Sequence, residues 1–112
     1  MHLKHVNGDD DAEAIKALNS LISLLSPYEK VVICGDMNML SDKNHFSTLT
    51  SAGYSIANCG AFGAFPTYLR DYPNKCVDNI AARGLNILDV RMIETSYASD
   101  HNPLVCRLVV NE

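Results

Sequence analysis

The stretch Val31-Val32-Ile33-Cys34-Gly35-Asp36-Met37-Asn38 decides how this chain is read. Four apolar residues in a row, three of them β-branched, predict a strand. A continuous run, with no alternation, predicts a strand covered on both faces. Gly35 breaks the run, so Asp36 and Asn38 stand at the strand's end, where a rigid scaffold presents polar groups. In extended backbone, side chains two residues apart point the same way. One is a carboxylate that accepts a proton or holds a cation, and the other is a carboxamide that donates hydrogen bonds. The same pair also suits an Asx turn that simply closes a strand.

Upstream, Ile15, Leu18, Ile22 and Leu25 step by three and four and mark one apolar stripe of a helix over 10–26. Asp9, Asp10 and Asp11 sit where they cap that helix and complement its dipole, and Pro27 stops it. Downstream, a short helix carries Phe46 and Leu49, capped by Ser41 or Asp42 and closed by Gly53. Tyr54 to Ala57 is a short strand, and Asn58 to Phe65 a Gly/Ala/Phe loop. Cys76 to Ala82 is a strand ended by a turn at Gly84. Leu88, Val90 and Met92 alternate with Asp89 and Arg91, which marks a strand with one wet face. Pro103 opens a last strand in which Leu104, Cys106, Leu108 and Val110 share a face. The order predicts a mixed α and β class, with a mainly antiparallel sheet and helices on one face.

The chain has 112 residues, 47% hydrophobic and 20% charged, with a formal charge of −4. That is one domain, 1–112, and not two. The acidic balance argues against a broad basic face for nucleic acid. The longest apolar run is far short of the ~20 residues that cross a bilayer, so no membrane contact is expected. No signal-peptide pattern opens the chain. The four cysteines form no CxxC pair and have no His at zinc-ligand spacing. Four reduced thiols and a cytoplasmic setting are therefore expected.

Two further polar groups interrupt apolar strands. Asp78 lies between Val77 and Asn79; a buried, unpaired carboxylate costs several kcal/mol by general estimate, so it needs a partner or an edge. Ser99-Asp100-His101-Asn102-Pro103 precedes the last strand, and a histidine there is a natural acid, base or phosphate contact near neutral pH.

Taken together, the three segments resemble the endonuclease/exonuclease/phosphatase family, the DNase I-like metal-dependent phosphodiesterases. The strand followed by Gly35-Asp36-Met37-Asn38 resembles the family's strand and GDxN. Thr67-Tyr68 and Val77-Asp78-Asn79-Ile80 resemble its Thr-aromatic and Ile-Asp-Tyr-Ile segments, with Asn79 where Tyr is common. Ser99-Asp100-His101-Asn102-Pro103 matches its closing SDHxP. His2-Leu3-Lys4 is a short match to the end of its Thr-His-Leu strand. Ile15 stands in a helix region where the family often has Arg.

Family members are about twice this length and fold as a four-layer α/β sandwich. The resemblance therefore implies half of that fold, the C-terminal half, without the half that supplies the family's metal-binding Glu. It implies a phosphoric ester hydrolase in which water attacks a phosphate with the help of Mg²⁺ or Mn²⁺. Asp36 would orient or deprotonate the water, Asn38 would hold a phosphate oxygen and His101 would contact the phosphoryl group. Asp78 would bond the other ring nitrogen of His101, Asp100 would be a metal ligand, and His2 a second phosphate contact. The substrate would be nucleic acid or a small phosphodiester. A sheet face left open by the missing half would pair two copies as a homodimer, with Val31, Ile33, Ile80, Leu104, Cys106 and Leu108 on that face. The competing expectation is a non-catalytic half-domain or interaction module with an incomplete metal site.

Overall fold

The apolar run folds into strand β1 (Val31–Asp36), but only one of its faces is covered. Val31 and Ile33 are buried, whereas Val32 is 43% exposed and Cys34 is exposed. A computed structural model of the chain describes residues 12–37, 46–68, 76–94 and 99–110. The Asp9–Asp11 cap, His2, Asn38, and Ser41 and Asp42 lie outside the described residues.

The element order is α1 (Ala12–Leu25), β1, α2 (Ser47–Ser51), β2 (Ser55–Ile56), β3 (Asp78–Arg83), β4 (Leu85–Met92) and β5 (Leu104–Val110). One sheet has the order β1-β3-β2, and β4 and β5 form a second, two-stranded sheet. All three strand pairings are antiparallel. The α+β class with antiparallel sheets is thus as expected. β1 pairs with β3 in the register Val31↔Arg83 through Asp36↔Asp78. Directly paired residues share a face. Val31, Ile33 and Ala81 therefore point one way, and Val32, Cys34, Ile80, Asp36 and Asp78 the other.

The first face is the core. Ala14 and Leu18 of α1 pack there with Val31, Ile33, Leu49, Tyr54, Ile56 and Ala81. The helical stripe is read correctly in Leu18, with Ala14 the second deeply buried residue and Ile15, Ile22 and Leu25 at the margin. The second face is covered only in part: Ala82 is buried and Ile80 half-buried, but Val32 and Cys34 are exposed. The expectation that Val31 and Ile33 belong to the open face is corrected: parity puts them under α1, and Val32 and Cys34 take their place. Alternation also misleads at Leu88. The β4–β5 register shifts between Ile87 and Asp89, and the bulged Leu88 is exposed. A bulge breaks the period of two from that point.

Gly53 closes α2 as expected, at φ +90°. Gly84 makes the turn from β3 to β4 at φ +76°, and a Cβ there would clash with the Glu29 carbonyl oxygen. Gly84→Ala would combine left-handed strain, about 1–3 kcal/mol, with a backbone clash. A fall in stability of at least that size is expected in urea unfolding followed by circular dichroism. An unchanged midpoint would contradict this turn geometry.

Candidate active site

The ends of β1 and β3 bring two acids face to face. Met37 N–H donates to the Val77 carbonyl at 2.8 Å, so 37 and 77 are a hydrogen-bonded pair. Asp36↔Asp78 is consequently a non-hydrogen-bonded pair, the kind whose side chains approach more closely. Two like charges directly opposite repel, and a cation between them relieves the repulsion.

His101 lies beside both acids and supplies such a cation when it is protonated. Its Nδ1 lies 2.6 Å from Asp78 Oδ2. A carboxylate oxygen only accepts, so the Nδ1–H donates, and the tautomer of the neutral ring is fixed with Nε2 unprotonated. Nε2 faces Asp36 Oδ2 at 3.7 Å and Asp100 Oδ1 at 3.9 Å, both too long for direct hydrogen bonds. The Tyr68 ring packs on the imidazole with centroids 5.2 Å apart and planes tilted by 57°. The backbone turn is held by the His101 N–H donating to Ser99 Oγ at 3.0 Å.

Partial burial pushes the His101 pKa down, but the bond to Asp78, its charge, and the charges of Asp36 and Asp100 outweigh burial. The net value is raised above the ordinary 6.5. A raised folded value means the imidazolium stabilises the fold fully below about pH 6.5, and that stabilisation is lost as pH rises through the folded value. Metal-free urea unfolding across roughly pH 5 to 8 should show stability falling above about pH 6.5, and His101→Gln should flatten that slope. A wild-type profile as flat as that of His101→Gln would contradict the coupling.

These groups open on a cleft of about 490 Å³ whose lining runs from Asp36, Asp78 and His101 to Cys34, Ile80 and Leu104. The acid–imidazole group therefore sits at one end of the open sheet face. Ligand atoms of Asp36, Asp78 and His101 lie within 4.8 Å of one another. Asp78 Oδ2 is already committed to the imidazole. The oxygens of Asp36 and Asp100 flank Nε2, and a hard divalent cation that keeps most of its water takes one or two such carboxylates. The cluster offers mostly carboxylate oxygens, the donors that a hard divalent cation takes.

The structure thus brings together Asp36, Asp78, Asp100 and His101. Asn38 and His2 lie outside the described residues. The four cysteines form no disulfide, and Cys34 is exposed on the open face. The sequence reading missed Asn58. It is fully buried, and its side chain bonds Phe65 N–H and the carbonyls of Phe65 and Asp78 at 2.7, 2.8 and 3.0 Å. Asn79 reciprocates by accepting the Asn58 N–H and donating to its carbonyl, at 2.9 and 3.1 Å. A buried polar residue is recognisable only once its partners are placed; in sequence Asn58 looks like one more loop residue.

No protein-family model and no curated protein matches this sequence. Solved structures do. One is an endonuclease/exonuclease/phosphatase from Bacteroides vulgatus, with a TM-score of 0.72 at 19% identity over 98% of this chain and 48% of that one. Another is a functionally unknown conserved protein from Enterococcus faecalis V583, with a TM-score of 0.72 at 18% identity over 99% of this chain and 48% of that one. This chain spans about half the length of both. Its fold is therefore that of an endonuclease/exonuclease/phosphatase protein, a half of the DNase I-like architecture.

Proposed function

We propose that this chain is the C-terminal half of a metal-dependent phosphoric ester hydrolase and carries its acid–base residues. The supporting observation is the His101 ring held by Asp78 at 2.6 Å with its Nε2 turned toward Asp36 at 3.7 Å. In the reaction, a water oxygen bonds to phosphorus, the ester P–O bond breaks, and the departing alcohol takes a proton. Asp36 accepts the proton of the attacking water. In its protonated form, which the neighbouring acids favour, His101 donates its Nε2–H to a phosphoryl oxygen and offsets the charge that builds there. Asp78 fixes the ring and raises its basicity. Asn38 and His2 are proposed as further phosphate contacts. Asp100 would hold Mg²⁺ or Mn²⁺, which when bound would polarise the phosphate and stabilise the leaving oxygen. Proposed substrates are nucleic acid or a small phosphodiester.

A single carboxylate anchors such a cation weakly. The 112 residues by themselves should hydrolyse bis-p-nitrophenyl phosphate and plasmid DNA only in traces with Mg²⁺ or Mn²⁺. Turnover near about 10 s⁻¹, typical of a whole enzyme, would overturn that expectation. A complementary half added in the same assay should restore hydrolysis; if it does not, the chain is a binding module that keeps the fold. The open sheet face is proposed to take a second copy of this chain.

A further inference from the structure

We infer that Thr67 is a positioning residue that ties Asp78 to the histidine loop, working with Asn58 as a substitute for a missing strand. β3 has β1 on one side and β2 on the other, but β2 pairs only as far as Ser55↔Ala82 and Ile56↔Ala81. Ala57 N–H still reaches the Ile80 carbonyl at 2.8 Å. Beyond that point no strand among the described residues lies beside the edge of β3. The register places the Asp78 N–H and C=O on this edge, because 36 and 78 are a non-hydrogen-bonded pair with respect to β1.

Side chains complete the ladder there. Thr67 Oγ1 accepts the Asp78 N–H at 3.2 Å, and Asn58 Nδ2 donates to the Asp78 carbonyl at 3.0 Å. Both residues are fully buried, so neither bond is exchanged readily for water. Thr67 has a second hold. Its carbonyl accepts the Asn102 N–H at 2.7 Å, and Tyr68 forms an antiparallel bridge with His101. One residue therefore touches the peptide of Asp78 and the peptide that follows His101. The 2.6 Å contact between those two side chains joins elements that no common sheet aligns, and Thr67 sets their separation.

The placement rests on geometry alone; its value to hydrolysis rests on the function proposed above. The test uses the whole chain and needs no activity. A histidine N–H donated to a carboxylate gives a downfield, slowly exchanging proton resonance, which reports the His101–Asp78 bond directly. Thr67→Val keeps the shape and removes the acceptor, and Thr67→Ser keeps the acceptor. Thr67→Val should lose the resonance, or exchange it about tenfold faster or more, while Thr67→Ser retains it. Ile33→Val, a destabilising core control on the opposite face, should also retain it. An unchanged resonance in Thr67→Val overturns the inference, and so does equal loss in Ile33→Val. If Thr67→Val does not fold, the wild type decides. The amides of Asp78 and Asn102 should be protected from hydrogen exchange, and exchange at free-loop rates overturns the inference. Absence of the imidazole resonance from a wild type whose two amides are protected would instead count against the Asp78–His101 pair, leaving the Thr67 tie standing.

Discussion

Asp36→Ala and His101→Ala should each cost about 10²–10⁴-fold in hydrolysis when the chain is assayed with its complementary half. The acid and the imidazole act on opposite sides of the same event. Asp36 receives the water proton, and His101 meets the charge that appears on the phosphoryl oxygens. With Asp36 removed, the water must lose its proton to solvent. With His101 removed, the two opposed carboxylates also lose the cation between them, so this variant should bind an anionic substrate worse as well as turn it over more slowly. Asp78→Asn should lose less, because the carboxamide oxygen still accepts from Nδ1–H but no longer holds the ring charged. Steady-state kinetics on one phosphodiester, with circular dichroism to establish folding, separates these outcomes. Full activity in Asp36→Ala would remove the mechanistic content of the proposal.

The second large effect concerns association. We propose that two copies of this chain pair through the open sheet face, with Val32, Cys34 and Ile80 of the first sheet and Leu104, Cys106 and Leu108 of β5 contributing. Val32 is 43% exposed in a position that a sheet ordinarily covers. Each 100 Å² of apolar surface left wet forgoes about 2.5 kcal/mol at about 25 cal/mol per Å². Monomers rarely leave contiguous apolar patches beyond a few hundred Å². The solved proteins that share the fold are about twice as long, so this chain occupies only about half of such an architecture. An isologous pair, each copy offering the same face, supplies the missing layer by symmetry. Sedimentation equilibrium at micromolar concentration should give twice the 12.3 kDa chain mass, and Val32→Asp should return the monomer. A wild-type monomer that unfolds cooperatively would show that one sheet and its helix suffice.

Much of this molecule is written locally. The run 31–34, the helical stripe around Leu18, the glycine stops at 53 and 84 and the strand beginning after Pro103 are each set by neighbours in sequence. Periodicity and backbone preference act over those same few residues, so those elements were legible. The polar segments at Asp36, Asp78 and His101 were legible for a related reason: charged groups at the ends of apolar strands are costly unless used, and their order resembled a known family.

Tertiary structure decided what depends on pairing. Whether Val31 or Val32 faces the helix turns on one residue of parity, which a uniformly apolar run does not encode. The bulge at Leu88 comes from the fit between β4 and β5. The opposition of Asp36 and Asp78 follows from the β1–β3 register, and the capture of His101 between them from a contact across 23 residues of sequence. Asn58 and Thr67 became meaningful only when β2 ended short of Asp78 and left an edge for their side chains to fill. Sequence by itself determined which segments form and which residues carry charge. The long-range hydrogen bonds decided which charges meet, because their partners are chosen by the fold and not by the neighbouring chain.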